Sequence, residues 1–413
     1  MENKCRIDGS ELTPIMDLGN IYFSDFVDNA EEGFKSPLKL GISNKSGLVQ
    51  LYQAPEPEKM YRKYWYRSGI NESMVRDLKN IVDSVKNYVQ INAGDTVLDI
   101  AANDGTLLSF WDKEQVTRIG IDPAKNLEQF RAGRYDKFVE DFFSKKNFDS
   151  VSSDKAKVIT SIAMFYDLPD PTWFVREVKD CLHPNGVWVI QMSYTPLMLD
   201  QNAFDNICHE HIEYYTLTVL NKLLNDNGLK AIDVELNDVN SGSFRVYVTH
   251  MFNNSSKLSE HAKMIGMFRV DSLLAYEKTL RLDTAKPYVE FAERVEKQKQ
   301  ETIKLLTSLK EQGKVVMGYG ASTKGNTLLQ YYGITPDLMS AIAERTPEKW
   351  GKVTVGTGIP IISEDEMRAK KPDYLFVLPW HFVNAFAERE KSLLNAGTKM
   401  IVPLPNLRII EGV

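Results

Sequence analysis

The stretch VLDIAANDGTLL, residues 97–108, joins an apolar run to the turn-forming segment ANDGT and then to a second apolar pair. The first run has the length and composition of a buried strand, and Gly105 permits a tight turn directly after it. The apolar pair that follows is typical of a helix start. This stretch therefore predicts a strand, a glycine-containing turn and a helix, which is the repeating unit of an α/β sheet.

Further strands of the same kind follow along the chain. They are RIGID at 118–122, VITSIAM at 158–164 and GVWVIQM at 186–192, separated by helical or loop sequence. A helical period begins near Glu72, before the first strand, with its apolar residues on one face. Because strands that alternate with helices form a parallel sheet covered by helices, the middle of the chain is predicted to be an α/β domain.

A second α/β unit is predicted at the C-terminal end. Its first strand, glycine loop and helix are KVVMGYGASTKGNTLL at 314–329, and PDYLFVLPW and KMIVPLP provide further strands. Between the two units, from about residue 276 to residue 312, the dense spacing of Glu, Lys and Leu predicts one or two helices with a solvated face.

The pattern divides the 413 residues into three parts. Residues 1–75 are rich in turn formers and short apolar runs, which predicts a small, irregular, partly β module. Residues 76–285 contain the first α/β unit and residues 286–413 the second. We therefore expect an α/β protein with a central Rossmann-like domain, a small N-terminal module and a C-terminal Rossmann-like domain.

Composition limits the classes of partner. The net charge is -6 and the basic residues are scattered, so no electrostatic footprint for nucleic acid is visible. No stretch approaches the ~20 apolar residues that cross a bilayer, and the first residues lack the apolar region of a signal peptide. Cys5, Cys181 and Cys208 are odd in number and far apart, which argues against a disulfide framework. We expect a cytoplasmic protein that acts on a small molecule, in an oligomeric state that the sequence leaves open.

The loop that contains Gly105 has the features of a cofactor site. Asp122 ends the next strand, where an acidic side chain can accept both hydroxyls of a ribose. The pattern G-x-G-x-x-G of nicotinamide cofactors is absent, and Ala101 opens the loop, so the backbone leaves little room for a pyrophosphate. S-adenosylmethionine, which has no phosphate, suits this loop better. A strand, turn and helix without any ligand is the alternative.

The second glycine loop differs in its chemistry. Two glycines, hydroxyl groups and a lysine at a helix start form a possible phosphate cradle, made by Gly318, Gly320, Ser322 and Lys324. The spacing is not that of a Walker loop, and the glycines could equally serve only a tight turn. Arg245, in SGSFRVYV, is a second candidate contact for a phosphate or sugar, or else a member of an ion pair.

The stretch FDNICHEHIEYY, residues 204–215, places His209, Glu210 and His211 side by side in a chain with six histidines. A metal site would need both imidazoles on one face, and the spacing H-E-x-x-H is absent. A nucleophilic Cys208 next to His209 is a second interpretation. In the third, neutral imidazoles and a carboxylate surrounded by aromatic rings remove a proton from a carbon acid. Histidines that are hydrogen-bonded in a core are the structural alternative.

Several of these stretches together resemble the sugar C-methyltransferases of deoxysugar biosynthesis, which use S-adenosylmethionine to methylate a carbon of a nucleotide-linked ketosugar. The resemblance covers nearly the whole chain and is carried by VLDIAANDGTLL, FDNICHEHIEYY, NSGSFRVYV, VVMGYGASTKGNTLLQYYGI, PEKWGKVTVGTGIPI and PDYLFVLPW. It implies a central class I methyltransferase domain between a small N-terminal module and a C-terminal Rossmann-like domain.

The resemblance also implies roles for individual residues. The cofactor loop would be lined by Asp99, Asn103, Asp104 and Gly105, with Asp122 at the ribose. At the sugar, His211 would be the base, supported by Glu210 and His209. Tyr64 and Tyr66, in KYWYRSG, match a segment whose tyrosine reaches the sugar in the family. The family tyrosine just before HEH is Cys208 here, a substitution that removes a phenolic hydrogen bond.

A larger departure from the family lies near the N-terminus. Members of the family usually have four zinc-binding cysteines there, and the corresponding positions are Cys5, Asp8, Ser43 and Ser46 in this chain. One thiol, one carboxylate and two hydroxyls do not make a structural zinc site. We therefore predict a module that folds without metal.

The implied reaction is proton removal next to a sugar carbonyl, followed by attack of the enolate on the methyl group of S-adenosylmethionine. An enzyme of the same fold that methylates oxygen or nitrogen is the first alternative, since it would not need a base beside a carbon acid. A protein that binds S-adenosylmethionine or a nucleotide without catalysis is the second.

Overall fold

The structure is a computed structural model that describes residues 3–412 except Lys63, Trp65 and residues 254–258. Its N-terminal module begins with an antiparallel sheet. The elements are β1 (Leu12–Tyr22), β2 (Phe26–Val27), β3 (Lys35–Ser43), β4 (Val49–Leu51) and the short helix α1 (Pro57–Tyr61). Strands β1, β3 and β4 pair in that order. None of the helices in the described part of the chain combines the length and apolar composition that a membrane span requires.

The central domain is built on seven strands. Its elements are α2 (Glu72–Val85), β5 (Asp95–Ile100), β6 (Val116–Ile121), β7 (Lys137–Val139), α3 (Lys145–Asp149), β8 (Ala156–Ile162), α4 (Pro171–Cys181), β9 (Leu182–Ser193), α5 (Thr195–Asp200), β10 (Glu213–Tyr214), α6 (Leu217–Asp226), β11 (Leu229–Asn237) and β12 (Ser243–His250). The strand order is β11-β12-β9-β8-β5-β6-β7, with parallel pairing from β9 to β7 and antiparallel pairing at β12 and β11. After β5 the chain adds β6 and β7 on one side of that strand and then β8 and β9 on the other side. This reversal of strand order beside β5 is typical of doubly wound domains.

Two long helices connect this domain to the last one. They are α7 (Glu260–Thr279) and α8 (Lys286–Glu311). One face of α8 is buried, including Phe291, Val295 and Leu306, and the opposite face carries the charged residues. The prediction of helices with a solvated face in this region is confirmed.

The C-terminal domain is a second α/β unit. Its elements are β13 (Val316–Tyr319), α9 (Thr323–Tyr332), β14 (Ile342–Glu344), β15 (Val353–Thr354), β16 (Ile361–Ser363), α10 (Glu364–Lys370), β17 (Tyr374–Val377), α11 (Val383–Arg389), α12 (Lys391–Asn395), β18 (Lys399–Val402) and β19 (Arg408–Ile410). The six strands of its sheet follow the order β16-β14-β13-β17-β18-β19, and all are parallel except β19.

The local sequence explains the elements that border the site. Asn71 caps α2 by accepting a hydrogen bond from the amide of Ser73, and Met74, Leu78 and Ile81 form its buried face. Strand β5 is buried on both faces, as expected for a central parallel strand with a continuous apolar sequence. The predicted α/β fold class is confirmed, with the strand order of a class I methyltransferase domain.

Strand pairing and a common apolar core cross the boundaries that the sequence predicts between the three parts. Strand β10 pairs with β4 and so completes the N-terminal sheet, and β15 of the C-terminal domain pairs with β2. One apolar core contains residues of the N-terminal module, α8 and the C-terminal sheet. The boundaries at residues 75 and 285 stay predictions, since these contacts join the parts.

Candidate active site

The loop after β5 adopts an unusual backbone. Ala101 has φ of 59°, Asn103 of 54° and Gly105 of 76°, all in the left-handed region. Glycine is required at the third position, because a Cβ there would lie 3.1 Å from the Cβ of Arg134. The loop starts at the carboxyl end of β5, where the strand order reverses and where open α/β sheets bind their ligands.

Asp122 follows β6 and fixes this loop. Its carboxylate accepts hydrogen bonds from the amides of Asn103 and Ala124, both at 2.8 Å, and from Nη2 of Arg131 at 3.0 Å. The pair of Asp122 and Arg131 is buried. A carboxylate has about four acceptor positions, and three are used here. One position is left for a ligand hydroxyl, whereas the sequence analysis assigned both ribose hydroxyls to Asp122.

Asp99 and Asp104 lie beneath the loop and are both buried. Thr160 Oγ1 donates to Asp99 at 2.6 Å, and burial raises the pKa of Asp99 to about 7. Asp104 accepts from Thr106 Oγ1 at 2.6 Å and forms an ion pair with Arg134 at 3.2 Å. These carboxyl groups therefore shape the loop through contacts within the protein.

Residues 66–69 cross the cofactor loop. The amides of Ser68 and Gly69 donate to the side chains of Asn103 and Asp104, both at 3.0 Å. The Asn103 amide group in turn donates to the backbone carbonyl of Tyr66 at 3.1 Å. The Tyr66 side chain is 43% exposed beside this loop. The side chains of Asn103 and Asp104, two of the predicted loop residues, are thus hydrogen-bonded to the segment that covers them.

His211 is held in one tautomer by its neighbours. Its Nδ1 lies 2.8 Å from the carbonyl oxygen of Asn206, so Nδ1 must donate its proton there. Nε2 has no hydrogen bond from the described residues, and the ring packs against Tyr166 with centroids 4.3 Å apart. Burial, and then the charge of Lys324, lowers the pKa of His211 to about 3. The imidazole is therefore neutral at physiological pH, with its Nε2 lone pair available as a base.

His209 points away from His211 and into the N-terminal module. Its Nε2 lies 3.1 Å from the carbonyl oxygen of Ser36, and its ring packs on Phe23 at a centroid distance of 4.4 Å. Burial lowers the pKa of His209 to about 4. The contacts of His209 are therefore with the N-terminal module, and its support of His211 stays a prediction. No group of three or more metal-binding side chains occurs among the described residues.

Glu210 belongs to a cluster of carboxyl and phenol groups beside His211. Tyr61 donates to the Glu210 backbone carbonyl at 3.1 Å, and the Cys208 thiol bonds the Glu210 carboxyl group. Burial raises the pKa of Glu210, and burial together with Glu210 raises that of Asp167 well above its usual value. The same two carboxyl groups, after burial, raise the pKa of Tyr64. Tyr64 is thus placed in the cluster as a protonated hydrogen-bond donor.

Cys208 is a thiol in this environment. Burial, and then Glu210, raises its pKa well above the usual value. A nucleophilic cysteine needs a lowered pKa, so the structure argues against this interpretation of the HEH segment.

The C-terminal domain contributes Lys324 to the same place. Its Nζ donates to Oδ1 of Asn206, the residue whose backbone carbonyl holds His211. Asp205 lies close to this ammonium group and accepts from Trp380 Nε1 at 3.0 Å. Burial lowers the pKa of Lys324, while Asp205 opposes that change. Asn206 therefore contacts both Lys324 of the C-terminal domain and His211 of the central domain.

Comparison with known proteins finds similarity to methyltransferases over most of the chain. The family described as "C-methyltransferase C-terminal domain" matches residues 238–405, and the family described as "Methyltransferase domain" matches residues 71–234. The C-methyltransferase NovU of Streptomyces niveus is 28% identical over 378 residues, which are 91% of this chain and 88% of that protein. The protein is a methyltransferase that depends on S-adenosylmethionine. The two family models thus match residues in both α/β domains of the methyltransferase.

Solved methyltransferase structures are similar to less than half of the chain. A S-adenosylmethionine-dependent methyltransferase from Clostridium acetobutylicum shows 13% identity and a TM-score of 0.33, over 42% of this chain and 89% of that chain. Magnesium protoporphyrin IX methyltransferase from Synechocystis, with bound SAM, shows 11% identity and a TM-score of 0.31, over 43% and 77%. The fold assignment rests on the strand order described above.

The residues around the loop fit S-adenosylmethionine, the cofactor of this methyltransferase. Asp122 keeps one acceptor position at the end of β6. The guanidinium groups nearest the loop, those of Arg131 and Arg134, are paired with Asp122 and Asp104. They are therefore committed to holding the loop, which suits a ligand without phosphate groups. Bound there, S-adenosylmethionine supplies a methyl group on a sulfonium, which is open to attack by a nucleophile.

The other residues of the predicted phosphate cradle have structural roles in the methyltransferase. A Cβ on Gly318 would lie 2.7 Å from the Ile342 side chain, and one on Gly320, at φ of 83°, would lie 2.6 Å from Pro379. Ser322 caps α9 by accepting from the Gly325 amide at 3.0 Å. The tight-turn interpretation therefore accounts for these three positions, while Lys324 alone of the four enters the His211 site.

Arg245 is fully used inside the central domain. It donates to Gln191, to Asn80 at 2.7 Å and to Asp77 at 2.8 Å, and it is 3% exposed. All of its nitrogens have partners on α2 and β9. The structure favours the ion-pair alternative for Arg245, because the buried pair with Asp77 anchors α2 to the sheet.

Sequence analysis missed several residues of the site. Asp167 and Tyr166 follow β8, and Asn206 precedes the HEH segment by a short turn. The position of Asp167 just after a parallel strand was a usable signal, because ligand-binding side chains collect at those ends. Asn206 acts partly through its backbone carbonyl. Because every residue has such a carbonyl, the residue type at position 206 does not indicate this role.

The positions that correspond to zinc ligands lie together in the N-terminal module and are joined by hydrogen bonds. Cys5 Sγ lies 3.2 Å from Ser46 Oγ, and Ser43 Oγ donates to Asp8 at 3.0 Å. Although burial acts in the opposite sense, hydrogen bonds from Ser10, Ser46 and Ser43 lower the pKa of Asp8 to about 2. A polar network therefore occupies the place where the family has its metal, and folding without zinc stays a prediction.

We expect chelation to leave the thermal midpoint of the methyltransferase unchanged, since Asp8 and the serines hold the module. Asp8→Ala should cost about 1 kcal/mol, a value reduced for the partial exposure of the carboxylate. Because the folded pKa of Asp8 is lowered, its contribution is present above about pH 4 and is lost as the pH falls toward 2. Calorimetry with and without a chelator, from pH 7 to pH 3, measures both effects. A lower midpoint after chelation would show that a metal binds.

Proposed function

We propose that this methyltransferase forms an enolate from a nucleotide-linked ketosugar and transfers the methyl group of S-adenosylmethionine to carbon. The orientation of His211 carries the proposal. A neutral imidazole whose Nδ1 proton is held by Asn206 presents Nε2 as the acceptor for a proton on the carbon next to a carbonyl. The relative NovU, itself named a C-methyltransferase, supports carbon as the acceptor atom.

The proposed reaction uses groups on both sides of the pocket. Nε2 of His211 takes the proton, and the electron pair of the broken C–H bond moves onto the carbonyl oxygen of the substrate. The new carbon–carbon bond forms as the methyl–sulfur bond breaks, which leaves S-adenosylhomocysteine. The proton on His211 then returns to solvent.

Charge on the enolate oxygen needs donors in a site that excludes water. Lys324 supplies an ammonium group next to Asn206, and Tyr64 supplies a neutral hydroxyl with a raised pKa. The contact between Lys324 and Asn206 favours a role near the reacting carbon. A diphosphate on the same loop is a weaker proposal, since Ser322 is used as a helix cap. The nucleotide part of the substrate and the cytoplasmic location stay predictions.

Deuterium exchange tests this function without methyl transfer. The protein, saturated with S-adenosylhomocysteine in heavy water, is mixed with nucleoside diphosphate-linked ketohexoses, and proton NMR follows the signals next to the carbonyl. We expect loss of one such signal, and no loss with His211→Asn. Calorimetric titration with S-adenosylmethionine shows that each variant still binds its cofactor. Exchange that is as fast in His211→Asn as in the wild type would exclude His211 as the base and favour transfer to oxygen or nitrogen.

A further inference from the structure

The turn at residues 204–206, just before the HEH segment, is held by the C-terminal domain. Phe204 is fully buried and stacks on Tyr332 of α9, with ring centroids 5.2 Å apart. Asp205 is 2% exposed and accepts a hydrogen bond from Nε1 of Trp380. Because both residues have these partners in the C-terminal domain, the position of the turn depends on that domain.

Asn206, the last residue of the turn, contacts two functional side chains through two different groups. Its side-chain oxygen accepts a hydrogen bond from Nζ of Lys324, and its backbone carbonyl accepts one from Nδ1 of His211 at 2.8 Å. Asn206 is 3% exposed, and the same ammonium group lies close to the carboxylate of Asp205. One cation of the C-terminal domain thus attracts two successive residues of the turn.

The carbonyl of Asn206 determines which nitrogen of His211 carries the proton. A neutral imidazole has one protonated nitrogen, and the hydrogen bond that this nitrogen makes fixes the state of the other. With Nδ1 bonded to the carbonyl, Nε2 carries no proton and its lone pair can accept one. Once that bond is lost, the proton can reside on Nε2 instead, and such molecules cannot use Nε2 as a base.

We infer that Asn206 is a positioning residue through which Lys324 of the C-terminal domain sets the tautomer of His211. The ammonium group fixes the side chain of Asn206, and the backbone carbonyl of the same residue is thereby directed at Nδ1. An ammonium group has three N–H donors, so this contact leaves others for the substrate. The tautomer is a property of the free protein, whereas its importance for catalysis rests on the proposed function.

Nitrogen NMR of protein labelled with ¹⁵N-histidine measures the tautomer, because protonated and unprotonated imidazole nitrogens differ strongly in chemical shift. His211→Asn assigns the signals. In the wild type near neutral pH we expect a protonated Nδ1 and an unprotonated Nε2. Lys324→Met, which removes the ammonium group but keeps a long side chain, and Asn206→Ala, which removes its acceptor, should both produce a mixture of tautomers. Asn227→Ala, which removes a buried amide at the end of α6, should leave the signals of His211 unchanged.

Kinetics shows whether the tautomer affects the reaction. Loss of one hydrogen bond shifts an equilibrium by about 2- to 10-fold, so kcat of Asn206→Ala should fall by up to about 10-fold with little change in KM. Asn206→Asp keeps an oxygen that can accept from Lys324 and should therefore retain the wild-type tautomer. A loss of overall stability alone would not change the tautomer in the folded molecules.

The two proposals can fail separately. A protonated Nδ1 that persists in both Lys324→Met and Asn206→Ala would overturn the positioning role, as would a wild type with the proton on Nε2. Deuterium exchange that still requires His211 would then leave the proposed function intact. If the tautomer changes as expected but the wild type catalyses neither exchange nor methylation with any ketosugar, the proposed function fails and the positioning of His211 stands.

Discussion

Replacing His211 with asparagine is expected to lower kcat for methyl transfer by about 10²–10⁴-fold, the usual contribution of a positioned general base. The amide can still donate to the Asn206 carbonyl, but it has no basic nitrogen to accept a proton. The dissociation constant for S-adenosylmethionine should not change, because the cofactor loop lies after β5. Single-turnover kinetics together with calorimetric titration separates these two quantities.

His209→Asn is the matched control, with the same change two residues away. His209 packs on Phe23 and contacts the Ser36 carbonyl, so this variant should lose some stability and keep its kcat. An equal loss of kcat in both variants would mean that the segment as a whole, rather than the imidazole of His211, determines the rate.

The pH profile gives a further test of the same assignment. A base with a pKa of about 3 stays neutral above roughly pH 4, so kcat should show no inflection near the usual histidine value of about 6.5. An inflection there that disappears in His211→Asn would contradict the burial that the structure shows.

Replacing Asp122 with alanine should weaken binding of S-adenosylmethionine by about 10²-fold or more. A hydrogen bond to a charged group contributes about 1.5–3 kcal/mol, and the variant also releases the amide of Asn103 from the loop. In addition the buried Arg131 would lose its nearer carboxylate and keep only that of Glu140, at 3.6 Å, which costs up to about 3–5 kcal/mol of unfolding free energy. Titration calorimetry at a temperature where the variant is folded measures the affinity, and denaturant unfolding measures the stability.

Asp136→Ala controls for loss of an ion pair on the same strand. Arg118 and Asp136 lie 3.0 Å apart beside β6, and Asp136 is partly exposed, so a loss of about 1 kcal/mol is expected. Affinity for S-adenosylmethionine should be retained. If the Asp122 variant binds as tightly as the Asp136 variant, Asp122 does not contact the cofactor.

The main strands and the cofactor loop could be predicted because their signals are local. A central parallel strand is buried on both faces, so β5 and β8 are continuous apolar runs in the sequence. Asp122 could be placed because the end of a strand defines one edge of the sheet. Gly105 marked the turn because glycine adopts the left-handed backbone conformation without the strain that a side chain would add.

The rest depends on contacts between distant segments. Whether His209 and His211 face the same way is decided by Ser36 in one module and by Asn206 in another, which lie far from each other in sequence. Arg245 is a residue type that often contacts ligands. Its partners on α2 are distant in sequence, so they could not be identified without the structure. Asp167 needed the assembled pocket to be recognised.

Strand β10 has a consequence for how the pocket responds to a ligand. It follows His211 directly, and its partner β4 lies in the N-terminal sheet, where the Leu51 amide donates to the Ile212 carbonyl at 2.9 Å. A ligand that orders the HEH segment must therefore also stabilise a sheet that it never touches, by thermodynamic linkage. Conversely, fraying of the N-terminal sheet lowers the fraction of molecules in which His211 is poised. Affinity for the substrate therefore depends on the N-terminal sheet as well as on the pocket.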